Sequence, residues 1–412
     1  MLKKSLPALL CLTCLSSLAA EWPRWRGPGG DGHWNPPQVP ADFATREPER
    51  LWTAPVGGGY SGVTFSEGKV YLMDRPKEPA GRERVLCFDA ATGHQLWVHE
   101  WTADYGSMEY GNGPRASVTL HEGKAYSLGA AGMATCLNAA SGEVIWQVDL
   151  VQEHSARVPT WGFAASPLID GPRVLLHVGA ENQGSLVALD KNTGRKLWQG
   201  GPDPAGYCTP EIITHRGNRQ LIAWGPEHIQ SLDPETGKTF WTWPYKITYG
   251  VSIAQPWHHD GLLLVSGYWH GTKVLKLGEK PQEVSLAWEN EKEMCGLMSG
   301  PLFQDGVIYL LDKNRGLQAI ELTTGRILWS DGNTLTPKDR NPQMSLVWLK
   351  QSEGLATLLN ASGELVHVRL KKEGFDELAR HQIIGKTWAH PAFGDGRVWA
   401  RSDTELAAWK LW

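Results

Sequence analysis

The stretch DKNTGRKLW, residues 190–198, is written four more times with changes: DAATGHQLW from Asp89, NAASGEVIW from Asn138, DPETGKTFW from Asp233 and ELTTGRILW from Glu321. In every copy Trp stands four places after Gly. With Trp288, which lacks the hairpin before it, the series is Trp97, Trp146, Trp198, Trp241, Trp288 and Trp329, at gaps of 49, 52, 43, 47 and 41 residues. A period of this size means one supersecondary unit used over and over. Between the copies no helical periodicity of useful length occurs. Short β-branched and apolar runs (70–73, 174–178, 262–265, 307–311) alternate instead with Gly, Asp, Asn and Pro clusters, which read as strands and turns.

One unit resolves into four strands: ASPLI at 165–169, RVLLHVG at 173–179, SLVALD at 185–190 and RKLWQ at 195–199. KNTG joins the last two; Asp190 can close an Asx turn and Gly194 can take positive φ. Small residues recur ahead of the first strand (Ser61, Ala116, Ala165, Cys208, Ala254, Ser299, Ala389) and six before the motif Gly (Cys87, Cys136, Ala188, Ser231, Ala319). Such positions suit sheets converging on an axis. The last unit has three strands, at 390–393, 397–401 and 405–410, while RLWTAP at 50–55 is a fourth strand with no first three. Joining them closes a ring and removes its open edge. The fold class is therefore all-β: an eight-bladed β-propeller of four-stranded antiparallel blades, closed by N- and C-terminal strands in one blade. A degenerate outer strand near 375–383 completes the count. The expected domains are a leader at 21–49 and the propeller at 50–412.

Trp52, Trp97, Trp146, Trp198, Trp241, Trp288 and Trp329 then lie on outermost strands, where the ring can wedge between neighbouring sheets and the indole N–H can find a carbonyl. Replacing one by Ala is expected to cost about 3–5 kcal/mol. The repeat is structural and carries little direct function.

Residues 1–20 read as a signal peptide: Lys3 and Lys4, an apolar stretch from Leu6 to Leu18, and a small-residue cleavage site before Ala20 or Glu21. The segment is short for a membrane span. Leu10 and Thr13 precede Cys11 and Cys14, so plain export to the periplasm or envelope is favoured over lipoprotein anchoring. Cleavage leaves 38 basic against 44 acidic side chains, with no basic run; nucleic acid is not an expected partner. Cys87, Cys136, Cys208 and Cys295 match no zinc spacing; the first three read as small core residues, and pairing is left open.

The D/N-x-x-T/S-G-x-x-x-W hairpin, repeated around a ring behind the leader WPRWRGPGGDG (22–32), resembles the pyrroloquinoline-quinone (PQQ)-like propeller repeat family over nearly the whole mature chain. WD-repeat propellers are disfavoured because no Trp-Asp dipeptide occurs. The resemblance implies one of three roles: quinoprotein dehydrogenases holding PQQ and Ca²⁺ at the ring mouth, the scaffold lipoprotein of the outer-membrane β-barrel assembly machinery, or short exported propellers of unassigned role. The third fits best. Alcohol dehydrogenases of this class cover the quinone with a disulfide of adjacent cysteines, and this chain has no adjacent pair.

Loops leading into the innermost strands surround one mouth of the channel. They are 57–62, 111–117, 160–166, 205–210, 250–256, 295–301 and 386–391. Tyr60, Arg115, Trp161, Tyr207, Gln255, Trp388 and His390 are the candidate ligand-binding residues there, with Phe163 and Met298 beside them: one cation, one imidazole and flat rings that suit a planar or anionic ligand. The competing reading has the aromatics plug the channel and Arg115 pair with Glu109 or a carbonyl. His258-His259-Asp260 reads as a solvated turn, since adjacent side chains on a strand point opposite ways. The segment at 75–84, RPKEPAGRER, reads as a charged hairpin tip. No nucleophile elbow, phosphate loop or glycosidase pair is evident. The expected function is a non-catalytic exported binding or scaffold protein, without catalytic residues, metal or cofactor. The first alternative is a PQQ/Ca²⁺ oxidoreductase and the second a polysaccharide-binding or -cleaving propeller. An envelope protein or a glycan is the expected partner, and a monomer without a transmembrane span the expected state.

Overall fold

A computed structural model describes residues 21–180, 184–296 and 298–412; the signal-peptide reading at 1–20 lies outside them. The described residues form eight four-stranded sheets, each in chain order from the axis outward except the last. The unit read above becomes Leu168–Asp170, Arg173–Ala180, Gly184–Asp190 and Lys196–Gly200, all antiparallel. Its innermost strand starts later than expected because Pro167 has no N–H to give a ladder. The degenerate outer strand of the seventh blade is Phe375–Gln382.

The eighth blade closes the ring. Glu49–Pro55 pairs antiparallel with Glu405–Lys410, which pairs with Arg397–Arg401, and that in turn with Ala392–Gly394. Trp52 stands opposite Ala408 and Pro55 opposite Glu405. Helix is limited, among the described residues, to five residues at Leu150–His154 and three single 3₁₀ turns. None of it is long and apolar enough to cross a membrane.

The repeated motif is an interblade joint. The ring of Trp52 lies against Gly93 of the next blade, where an added Cβ would sit 2.5 Å from the indole. Trp97 covers Gly142, Trp146 covers Gly194, Trp198 covers Gly237 and Trp288 covers Gly325 in the same way. Each such Gly has φ between +71° and +77°, so both its left-handed turn and its missing Cβ are needed. Trp52, Trp97, Trp146 and Trp288 donate Nε1–H to carbonyls of the next hairpin (Ala90, Ala139, Lys191 and Leu322) at 2.8–3.1 Å. Trp241 faces a blade without the motif and its Nε1 turns to Gln220 of its own blade. Trp329 reaches the carbonyl of Lys371.

Only Trp146 and Trp241 are buried, at 7% and 6% exposure; the other five are partly buried. A loss of about 3–5 kcal/mol applies to a fully buried ring, so the partly buried positions are worth less than that. The recurrent small residues are all buried, and Cys87, Cys136, Cys208 and Cys295 are buried free thiols. Apolar layers between blades make the core. Val70 and Phe88 of the first blade, for example, pack with Val398 and Leu406 of the eighth.

The segment before the ring does not hang off it. Trp22 exchanges backbone hydrogen bonds with Phe65 of the first blade at 2.9 and 2.8 Å, and the Pro23 carbonyl accepts from Leu120 N of the second. Later in the leader, Trp34 N donates to the Trp348 carbonyl of the seventh blade, and Trp348 N to Gly32. Gly32 has φ +82°, and a Cβ there would sit 2.8 Å from the Leu346 carbonyl. Arg26 is 1% exposed between these anchors. Its guanidinium donates to the carbonyls of Pro301 and Asp31 and to Gln255 Oε1, at 2.6, 3.1 and 3.2 Å. The segment thus crosses the channel and closes it from one side.

Candidate binding site at the channel mouth

The mouth loops are fixed by buried charges that spend themselves on backbone. Arg401, 1% exposed, donates to the carbonyls of Met73 and Gly57. The Asp74 carboxylate accepts from Gly57 N and pairs with Arg84. Both hold the loop that carries Tyr60, whose own N–H donates to the Pro114 carbonyl at 2.8 Å. Glu83 accepts from Tyr105 Oη, Trp101 Nε1 and Ala130 N at 2.6, 3.0 and 2.8 Å. Burial outweighs these donors and raises its pKa. His177 clasps the loop carrying Tyr207: Nε2 accepts from Gly206 N at 3.0 Å, so Nδ1 carries the proton to the Cys208 carbonyl at 3.1 Å. Complete burial lowers the pKa of this imidazole and keeps it neutral.

These loops enclose a cavity of about 660 Å³. Six of the seven candidate residues line it: Tyr60, Arg115, Trp161, Tyr207, Trp388 and His390. Gln255 does not. It is 6% exposed and taken by Arg26 below the wall, because the leader occupies the channel there. Met298 lines the wall, whereas Phe163 is buried between the second and third blades.

Aromatic rings dominate the wall. Trp388 lies between Tyr60 and Tyr110, with centroids 5.6 and 5.8 Å away. Trp161 and Tyr207 are 5.7 Å apart. Opposite them Trp269 stands 4.1 Å from Tyr268 and 5.5 Å from Tyr249. Trp25 of the leader contacts His390 edge-on at 5.5 Å and closes the floor. Asn341 joins two sides of the mouth, accepting from Tyr268 Oη at 2.9 Å and donating to Tyr110 Oη at 3.4 Å.

The charges here are mostly spent. Arg115 donates to the carbonyls of Gly113, Glu109 and Tyr110 and lies over the ring of Tyr60. Glu109 accepts from Trp161 Nε1 at 3.1 Å. Burial, with Arg26 close by, holds the pKa of His390 down at about 3, so this imidazole is neutral at every physiological pH. Arg340 and Gln343 carry no side-chain hydrogen bond among the described residues, which leaves them free to meet a ligand.

Sequence reading named Glu109 only as a partner for Arg115, which bonds its carbonyl, and missed Trp25, Tyr110, Tyr249, Tyr268, Trp269 and the loop with Arg340, Asn341 and Gln343. That loop lacks the small residue two places before proline that marks the others. Tyr268 and Trp269 come from the turn between the second and third strands of their blade, which the antiparallel order puts on the same face as the inner loops. Elsewhere, His258 accepts from Gly261 N within its turn and meets His215 edge-on. No cluster of three or more His, Cys, Asp or Glu suited to a metal occurs among the described residues. Arg75, in the charged hairpin, lies 4.1 Å over the Tyr105 ring.

Quinone and Ca²⁺, which the fold brings to mind, require converging oxygen donors and unspent cations. Among the described residues, the mouth offers one carboxylate, Glu109, and one unspent cation, Arg340, while Arg115 is saturated by carbonyls. The residues present do not fit that pair.

The family model described as outer membrane protein assembly factor BamB matches residues 81–246 and 225–409. The BamB protein of Shewanella oneidensis is 30% identical over 173 residues, 39% of each chain. That of Yersinia pestis is 23% identical over 322 residues, 73% of this chain and 74% of its own length. Among solved structures, a quinohemoprotein alcohol dehydrogenase from Comamonas testosteroni superposes with a TM-score of 0.69 at 13% identity, covering 95% of this chain and 80% of its own; this is a likeness of fold. With four-fifths of its length matched, the chain belongs to the PQQ-like propeller repeat family described as outer membrane protein assembly factor BamB.

Proposed function

We propose that this chain is an exported, non-catalytic binding or scaffold protein of the cell envelope that works through the aromatic mouth of its ring. The observation that carries the reading is the mouth itself: a cavity walled by rings from unrelated loops, on a scaffold whose other charges are spent on holding those loops. Tyr249, Tyr110 and Trp269 keep 75%, 43% and 41% of their surface in solvent, and they line one cavity together, the kind of contiguous patch that marks a binding face. Membership of a family described by an assembly role, and relatives bearing that description, support a scaffold over an enzyme. The signal-like start supports export: the mature N-terminus is expected at Ala20 or Glu21 in the exported fraction, by N-terminal sequencing.

The test is a titration of the mature protein with PQQ, with and without Ca²⁺, followed by Trp fluorescence and melting temperature. A flat response to high micromolar quinone is expected. Saturable quenching with a Ca²⁺-dependent melting shift overturns the non-catalytic reading.

A further inference from the structure

We infer that the mouth cavity is an oligosaccharide site, taking a short run of uncharged pyranose units stacked on its aromatic wall. This rests on the reading of the mouth as the binding face. The first argument is the form of the wall. The rings stand in three groups around the cavity, Tyr60–Trp388–Tyr110, Trp161–Tyr207 and Tyr249–Trp269–Tyr268, with Trp25 as the floor. A pyranose ring presents faces of C–H bonds with slight positive charge, which complement the negative face of an aromatic ring.

Charge gives the second argument. Arg115 is saturated by carbonyls, Glu109 adds a negative charge with one oxygen bonded to Trp161, and Lys313 sits 3.6 Å over the face of Tyr268. A polyanion would find only Arg340 free. A purely apolar ligand would bury Arg340, Gln343, Thr160 and Ser345 of the lining without partners, which is costly. A sugar has apolar faces for the rings and a rim of hydroxyls for those donors and acceptors. Gln343, 7% exposed and bordering the cavity, is one planar amide placed for such a hydroxyl.

Size gives the third. About 660 Å³ falls within the range of about 300–1,000 Å³ for sites that hold drug-sized molecules. That suits a short oligosaccharide better than one small metabolite. The floor closed by Trp25 makes this a blind cup, which suits a chain end or a short branch.

The experiment uses the mature full chain and four uncharged probes: maltohexaose, cellohexaose, xylohexaose and mannohexaose, followed by calorimetry and intrinsic fluorescence. Saturable binding of at least one, with a change in Trp emission, is expected. Trp269→Ala and Trp161→Ala should each weaken it about tenfold, the size of one lost stacking contact. Trp329→Ala, on the outer edge, should leave it unchanged. Trp269 is exposed, so its removal should not unfold the protein. Binding that ignores both Trp269→Ala and Trp161→Ala overturns the site, and silence of all four sugars to about 10 mM, weaker than the millimolar end of specific binding, overturns the ligand class. An aromatic tetrapeptide, Trp-Ala-Trp-Ala, separates the two readings: if it binds and Trp269→Ala abolishes this while sugars are silent, the mouth stands as a binding face and the sugar proposal falls. If neither binds and Trp269→Ala retains every co-purifying envelope protein, both fall.

Discussion

The outer edge of the ring and its mouth are built on opposite plans. The edge repeats: Trp of one blade over Gly of the next at five successive or near-successive joints, with the indole N–H on the next hairpin's carbonyl at four of them. The mouth repeats nothing. Its rings come from inner loops, from one turn between second and third strands and from the leader, and no two loops supply the same set. A joint that must recur eight times can be met by one sequence solution. A cavity that must recognise something cannot be symmetric unless its ligand is. Repetition therefore marks where the chain is held together, and its loss marks where function is sought.

The comparison predicts a ladder of effects. Deleting residues 49–55 removes the outer strand of the closing blade and Trp52 with it. Loss of the cooperative melt is expected, since stability totals only about 5–15 kcal/mol; an unchanged melting temperature by near-ultraviolet circular dichroism would break the closure. Next, Arg26→Met leaves the Pro301 carbonyl and the Gln255 amide oxygen buried without a donor, at about 1–3 kcal/mol each, and should cost about 3 kcal/mol or more in urea unfolding. A smaller loss than that of Trp329→Ala would mean that the leader is an accessory and not a strut.

Within the edge, the ladder should follow burial. Trp146→Ala should cost about 3 kcal/mol and the more open Trp329→Ala about 1–2. Equal losses would show that the N–H bond outweighs the packing. Acid should act through buried neutral imidazoles. Burial lowers His367 to about 3 and His258 to about 4. Their folded values lie below the unfolded one, so the stability they confer is whole above about pH 6.5 and is lost as pH falls toward 4. Glu211 has the opposite sign. Its carboxyl tip is shielded beside the leader, and burial raises it to about 7 despite Arg26 and Arg24. It therefore penalises the fold as pH rises from about 4.5 to about 7. His367→Leu should flatten the acid limb of a melting-temperature profile, and Glu211→Gln should stabilise more at pH 8 than at pH 5. Smallest of all, Trp269→Ala at the mouth should change stability by less than about 0.5 kcal/mol. A larger loss would make that ring structural and weaken the contrast on which the mouth reading stands.

Sequence alone determined the ring. The spacing of Trp97 to Trp329, the small residues at fixed offsets and the orphan strand around Trp52 are local patterns, and each repeats, so one correct reading fixes eight blades and their closure. The joint between blades was only half legible: the Gly of the motif was readable as a turn, but its second duty, leaving room for the indole of the preceding blade, depends on a neighbour some forty residues away. The mouth was legible as far as the loop positions follow from the strand order. That is why Tyr60, Trp161, Tyr207 and Trp388 were placed. Trp269 follows from the antiparallel order, which puts second-to-third turns on the mouth face, but Gln255 was beyond reach, because it is claimed by a leader that threads the channel. That outcome depends on which segments far apart in the chain share one axis, and that is decided by packing and not by any local preference of the residues concerned.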